Sequence, residues 1–151
     1  MSTQHARFQA RLIDSRPAVE AVAAWLRRRG RVVFVPPIHV ASSADVAWLW
    51  RDHGDIILDG SKTVQVKGLR KTLFPPWDHP HVFISSRSQV EDTPDAWAWV
   101  IVSNDLKACG VILPSTRAGW YLTRVRCETT GNVETFYACP YPDVIWRKLI
   151  P

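Results

Sequence analysis

The sequence predicts one domain of mixed α+β class (α/β in general content), with an N-terminal helix, a central sheet and a sheet-rich C-terminal half. Three observations predict it. Apolar residues recur at helical spacing between Ser15 and Arg29, a hairpin pattern runs from Asp55 to Gly68, and short β-prone runs bounded by turn residues follow Val82. The chain has 151 residues, 46% hydrophobic and 22% charged, enough for one domain with its own core.

In chain order, residues 1–13 read as an N-terminal arm. A helix over 15–29 follows, with Ser15 as N-cap, Pro17 in the first turn and Val19, Val22, Ala23 and Leu26 on one stripe. Arg27, Arg28 and Arg29 suit the negative end of the helix dipole, and Gly30 suits its termination. Arg31 to Val35 makes a short strand stopped by Pro36-Pro37. Ala44 to Trp50 fits either a short helix or an extra strand. Ile56-Ile57-Leu58 and Thr63-Val64 with Val66 flank Asp59-Gly60-Ser61-Lys62, which is turn chemistry, so the pair forms a hairpin. Phe74 to His81 holds three prolines and reads as a loop. Strands are predicted at 82–84, 96–103, 110–113, 120–127 and 134–139. The run Trp97 to Val102 is apolar enough to be covered on both faces. Pro142 to Leu149 is a short helix or a last strand.

The hairpin carries the chemistry. Asp55 opens its first strand while Gln65 and Lys67, two apart and on one face, lie late in its second. Antiparallel pairing therefore brings an acid, a neutral oxygen ligand and a lysine toward one end of the sheet. Hard oxygen ligands hold Mg²⁺, which polarises a phosphate and activates water, and an ammonium steadies developing negative charge. Gly54-Asp55-Ile56-Ile57-Leu58 followed by Val64-Gln65-Val66-Lys67-Gly68 resembles the core signature of the PD-(D/E)XK nuclease superfamily. That superfamily includes restriction endonucleases, Holliday-junction resolvases and phage or repair nucleases. Gly54 stands where the name has Pro and Gln65 where an acid is usual, as in Mrr-like restriction enzymes. The resemblance covers about the first half of the chain, with its sharp part at residues 54–68.

The resemblance implies a restriction-endonuclease-like core with a mixed central sheet, and an endonuclease that hydrolyses DNA with Mg²⁺, Mn²⁺ serving as substitute. It assigns the metal to Asp55, the Gln65 side chain and the Val66 backbone carbonyl. Glu20, which flanks the helix stripe, would hold a metal-bound water, and Lys67 would position or deprotonate the nucleophile. Double-strand cutting by a one-site domain of this size would call for a homodimer. Asp59, before Gly60, competes with Asp55 but reads as a turn former.

Formal net charge is +5, and the cations cluster. Arg27 and Arg28 belong to a run of four arginines in five positions, Lys62, Arg70 and Lys71 surround the hairpin, and Arg124 and Arg126 share a strand face. Such groups attract a phosphate backbone, so DNA is the expected partner. Cys109, Cys127 and Cys139 include no C-x-x-C pair and read as reduced structural thiols. His79-x-His81 reads as incidental, and most of the eight tryptophans as core; Trp77, in the loop, is expected to pack there, base stacking being the alternative. No apolar run reaches membrane length and Met1 to Arg11 lacks a signal-peptide core, which predicts a cytoplasmic protein with no membrane partner. Two other classes fit the same sequence. One is a nuclease-fold DNA-binding module without catalysis, motivated by Gln65; the other is a sheet-rich interaction subunit whose hairpin is only structural.

Overall fold

A computed structural model of the chain describes residues 3–37, 55–72, 79–126 and 131–151, with side chains from residue 15 onward. The segment 44–50, Trp77 and Cys127 fall outside the described residues. In chain order the elements are helix α1 (Thr3–Arg28), strands β1 (Val33–Phe34), β2 (Ile56–Leu58), β3 (Lys62–Gly68) and β4 (His81–Ser86), helix α2 (Arg87–Asp92), then β5 (Ala98–Val102), β6 (Ala108–Ile112), β7 (Tyr121–Arg126), β8 (Val133–Pro140) and β9 (Ile145–Lys148). Short 3-10 segments cover Pro114–Gly119 and Tyr141–Asp143.

The first helix is longer than its sequence pattern announced. Residues 3–13, expected as part of an arm over 1–13, continue it, and Pro17 lies inside it. His5 to Asp14 is rich in Ala, Arg, Gln and Leu, good helix formers whose propensity outweighs the Ser-x-Pro start signal. Its C-terminus ends as expected. Gly30 adopts a φ of 79°, its N–H donates to Arg27 carbonyl at 2.9 Å, and the N–H of Arg31 donates to the Leu26 carbonyl at 3.1 Å. This is a Schellman cap, in which a left-handed glycine lets the chain satisfy the last helical carbonyls.

The hairpin forms where the turn chemistry put it. Ile56 pairs with Val64 and Leu58 with Lys62. Asp59 and Gly60 both have positive φ, 52° and 82°, and the Ser61 N–H donates to the Leu58 carbonyl at 3.3 Å, the pattern of a primed turn that matches strand twist. Asp59 is therefore a turn residue. Its carboxylate also accepts from the Val32 N–H at 3.2 Å and from the Arg31 guanidinium at 2.5 Å, and the arginine holds it below the usual carboxylate range.

A mixed six-stranded sheet in the order β1-β2-β3-β5-β6-β9 is the centre of the fold, and β3 and β5 are its parallel pair. A second antiparallel sheet has the order β4-β8-β7. Val64, Val66, Val100 and Val102 face α1, where Ala18, Val19, Val22 and Leu26 cover them. Trp99, Ile101 and Ile112 face the other way, against Val82, Ile84 and Cys139 of the second sheet and Val90 of α2. The result is three layers: helix, central sheet, second sheet. All five residues of β5 are buried, as its unbroken apolar run predicts.

Among the described tryptophans, Trp99 and Trp120 are buried, Trp25 and Trp146 half-buried, and Trp97 is exposed. Of these, Trp25, Trp99, Trp120 and Trp146 belong to or pack against the core clusters, while Trp25 and Trp97 also carry cations over their rings. Cys109 and Cys139 are buried free thiols, and burial pushes the Cys109 thiol up to about 12. No helix among the described residues is long and apolar enough to cross a membrane.

Candidate functional site

Strand β3 sorts its residues by parity. Val64 and Val66 send side chains to α1, so Gln65 and Lys67 point to the opposite face, beneath the second layer. Backbone groups sort the same way. The Asp55 N–H donates to the Val64 carbonyl at 3.1 Å while the Leu69 N–H donates to Val102 at 2.9 Å; even positions thus face β2 and odd positions face β5.

Asp55 stands just ahead of Ile56, where β2 begins. Its Oδ2 accepts a hydrogen bond from the Val66 N–H at 2.7 Å, so a carboxylate replaces the next rung of the ladder. Within a strand the N–H and C=O of one residue point to the same edge. The Val66 carbonyl therefore lies on the edge that Asp55 occupies. Gln65, 5% exposed, turns its side chain to the covered face, opposite Trp99 in the register.

Lys67 reaches α2. Its Nζ donates to Gln89 Oε1 at 2.7 Å, and the buried Ser85 hydroxyl donates to the same oxygen at 2.5 Å. Neither Ser85 nor Gln89 was singled out from sequence, and α2 itself was missed. The signal was present: Ser86-Arg87-Ser88-Gln89 is a capping-box pattern, and the Gln89 N–H donates to the Ser86 hydroxyl at 3.3 Å. The Gln89 side chain is turned toward Lys67 and Ser85.

Helix α1 runs antiparallel to β3, since Ala18 lies 3.5 Å from the position a Cβ would take on Gly68 and Leu26 shares a cleft with Val64. Glu20 therefore sits toward the Asp55 end of the sheet. Its carboxylate pairs with Arg16 at 3.0 Å on the exposed flank. An exposed i,i+4 pair of this kind contributes only about 0.3–0.5 kcal/mol, so it yields readily to a stronger partner.

The oxygen donors expected to act together are one carboxylate (Asp55), one amide (Gln65) and one backbone carbonyl (Val66); Asp55 and the Val66 backbone share a strand edge, and the Gln65 side chain is buried on the face opposite α1. Among the described residues no three His, Cys, Asp or Glu side chains converge. An all-oxygen set of low charge fits Mg²⁺, which keeps several waters and is commonly held by one or two carboxylates together with substrate phosphates.

The basic residues divide between the two ends of β3. Arg70 and Lys71 follow Lys67 and are exposed. Lys62 lies at the turn end, 5.2 Å from the Trp97 ring centroid. Arg27 and Arg28 occupy the last turn of α1; the first donates to the Val33 carbonyl at 3.2 Å and the second to the Leu149 carbonyl. At a strand rise of ~3.3 Å per residue, the length of β3 that separates Lys62 from Gly68, where the Arg70-Lys71 segment begins to follow, is roughly 20 Å. No protein-family model, curated protein or solved structure matches this chain.

Proposed function

We propose that this protein is a Mg²⁺-dependent DNA endonuclease of the PD-(D/E)XK type. The observation that carries the reading is the Asp55 carboxylate held at 2.7 Å on the edge of the motif strand by the Val66 N–H. That bond sets one charged oxygen ligand beside the Val66 carbonyl, with Gln65 and Lys67 the flanking residues of the same strand. Helix, crossing strand and hairpin follow in the order that the sequence resemblance implies.

On this reading Asp55, the Gln65 side chain and the Val66 carbonyl would hold the metal, and Glu20, now paired with Arg16, would hold a metal-bound water. Bound Mg²⁺ supplies charge that polarises the scissile phosphate and lowers the pKa of a water. Lys67 positions or deprotonates the attacking water, and Gln89 keeps the ammonium in place through a short charge-assisted hydrogen bond. Arg70 and Lys71 contact the DNA backbone beside the site, and Arg27, Arg28 and Lys62 contact it at the other end of β3. The roughly 20 Å length of β3 matches about six base pairs at about 3.4 Å each. Double-strand cutting then requires two copies, hence a homodimer on DNA, acting in the cytoplasm.

Nicking of supercoiled plasmid tests this. Mg²⁺ should support nicking and EDTA abolish it. Lys67→Ala should abolish nicking while retaining DNA affinity, with the salt slope reduced by only about one unit. A folded wild-type protein that binds DNA at low salt and never nicks it would leave the non-catalytic module; one that does neither would leave the interaction subunit.

A further inference from the structure

At the turn end of the hairpin, away from Asp55, a cleft of about 120 Å³ opens between α1 and the central sheet. Leu26, Val64, Val100 and Val111 form its floor, and Trp25 and Trp97 its walls. Its mouth is cationic. The Arg29 guanidinium lies 5.5 Å from the Trp25 ring centroid, and Arg31 and Lys62 lie 5.6 and 5.2 Å from that of Trp97. Asp59 engages Arg31, while among the described residues Arg29 and Lys62 have no ion-pair partner. Trp97 is 37% exposed, leaving part of a large apolar ring open to a visitor.

These features select a ligand. A cavity near 150 Å³ takes a benzene-sized group, so this one holds a single branched or aromatic side chain and is too small for an acyl chain. A nucleobase would fit by size, yet its ring edge carries donors and acceptors that the aliphatic floor leaves unpaired. A hydrocarbon side chain leaves nothing unpaired. The net positive rim then calls for carboxylates next to that anchor, which gives both steering and register. We propose that this cleft docks an acidic peptide segment of a partner protein, with one Leu- or Phe-like side chain inserted between Trp25 and Trp97 and its neighbouring carboxylates on Arg29, Arg31 and Lys62. The proposal shares Lys62 with the nuclease reading but not its chemistry, since Asp55 and Lys67 do not line the cleft.

The probe is a fluorescein-labelled oligo-aspartate peptide ending in Leu-Phe, followed by anisotropy with the full-length chain. Saturable binding is expected, weakened at least tenfold by Arg29→Glu, by Trp97→Ala, and by exchanging Leu-Phe for Ser-Ser. Arg117→Glu, which alters a cation over Trp120 and Tyr137 elsewhere on the surface, should leave it unchanged. Both cleft positions are exposed, and melting curves confirm that each variant folds. Absence of saturable binding by the wild type overturns the proposal, as does binding indifferent to both cleft variants. Labelled oligothymidylate that displaces the peptide and itself depends on Trp97 also overturns it, and assigns the cleft to single-stranded nucleic acid.

Discussion

Replacing Gln65 with Glu tests whether the hairpin end is a metal site, through stability rather than catalysis. The side chain is 5% exposed, and Asp55 shares its end of the sheet. A carboxylate placed there loses hydration and meets a like charge, both of which raise its pKa. Its cost at pH 7 has a ceiling, because the group takes up a proton once ionisation becomes dearer than protonation. From an ordinary Glu value near 4.3, that ceiling is about 3.7 kcal/mol at about 1.36 kcal/mol per pH unit. A loss near half of it, about 2 kcal/mol, is expected for a site at the rim of the core. For 151 residues, unfolding entropy makes about 1 kcal/mol equal to about 3 °C, so the metal-free variant should melt about 6 °C below wild type.

The sign with pH follows from the raised folded-state value. The folded variant binds more protons than the unfolded one above pH 4.3, so its deficit should widen from pH 5.5 to pH 8. Mg²⁺ should reverse the effect. If the added charge brings the dissociation constant to about a tenth of the Mg²⁺ concentration used, ligand linkage returns about 1.4 kcal/mol, or about 4 °C, while wild type gains less. Scanning calorimetry with and without Mg²⁺ at both pH values reads all of this. A variant whose melting is indifferent to Mg²⁺, or whose Mg²⁺ response equals that of wild type, would refute the assignment of Gln65 as a ligand.

Other expectations rest on single observations. A Cβ on Gly110 would lie 2.8 Å from Val144 Cγ1, so Gly110→Ala should cost about 1–3 kcal/mol, and adding Val144→Ala should restore part of it in urea melts; a purely additive double variant would show that the clash is not the cause. Burial, and then the charge of His79, lowers the His81 pKa below 6.5. Its contribution is therefore complete above pH 6.5 and lost as pH falls through the folded-state value, and His81→Phe should flatten stability between pH 7 and pH 5; an unchanged slope would place the titration elsewhere. Cys109, held at about 12, should resist iodoacetamide at pH 8 until the protein unfolds, as peptide mapping would show, and rapid labelling of the folded chain would contradict its burial.

Where local chemistry dominates, the sequence was a good guide. The hairpin, the glycine cap and the fully buried β5 each follow from a few adjacent residues, and the structure has them where those residues put them. Two misreadings share a cause. Ser15-x-Pro17 mimics a helix start, although the residues before it have helical propensity and continue the helix upstream. Ser86 to Gln89 lay between clearer strands, and its cap pattern was passed over. The division of the strands into two sheets was not legible, because nothing in a short alternating run says which neighbour it will pair with. Of the candidate site, strand spacing brings Asp55, Gln65 and Lys67 toward one end of the sheet, while the ligand role of the Val66 carbonyl rests on the resemblance. Ser85 and Gln89 could not be read from spacing, since their meeting with Lys67 depends on how the chain returns over the sheet.

That return has a kinetic consequence. Strand β5 lies parallel to β3, with Val64 opposite Ala98, so the sheet cannot close at its centre until β4 and α2 have crossed the face between them. The hairpin and α1 rest on local contacts and are available early in folding, whereas the parallel pairing closes a long loop before any contact repays the entropy. Lys67 thus finds Gln89 in the same step that completes the middle of the sheet. A nascent chain released after β3 would own the Asp55 hairpin and lack the ammonium's anchor, so the ordered lysine marks a finished fold.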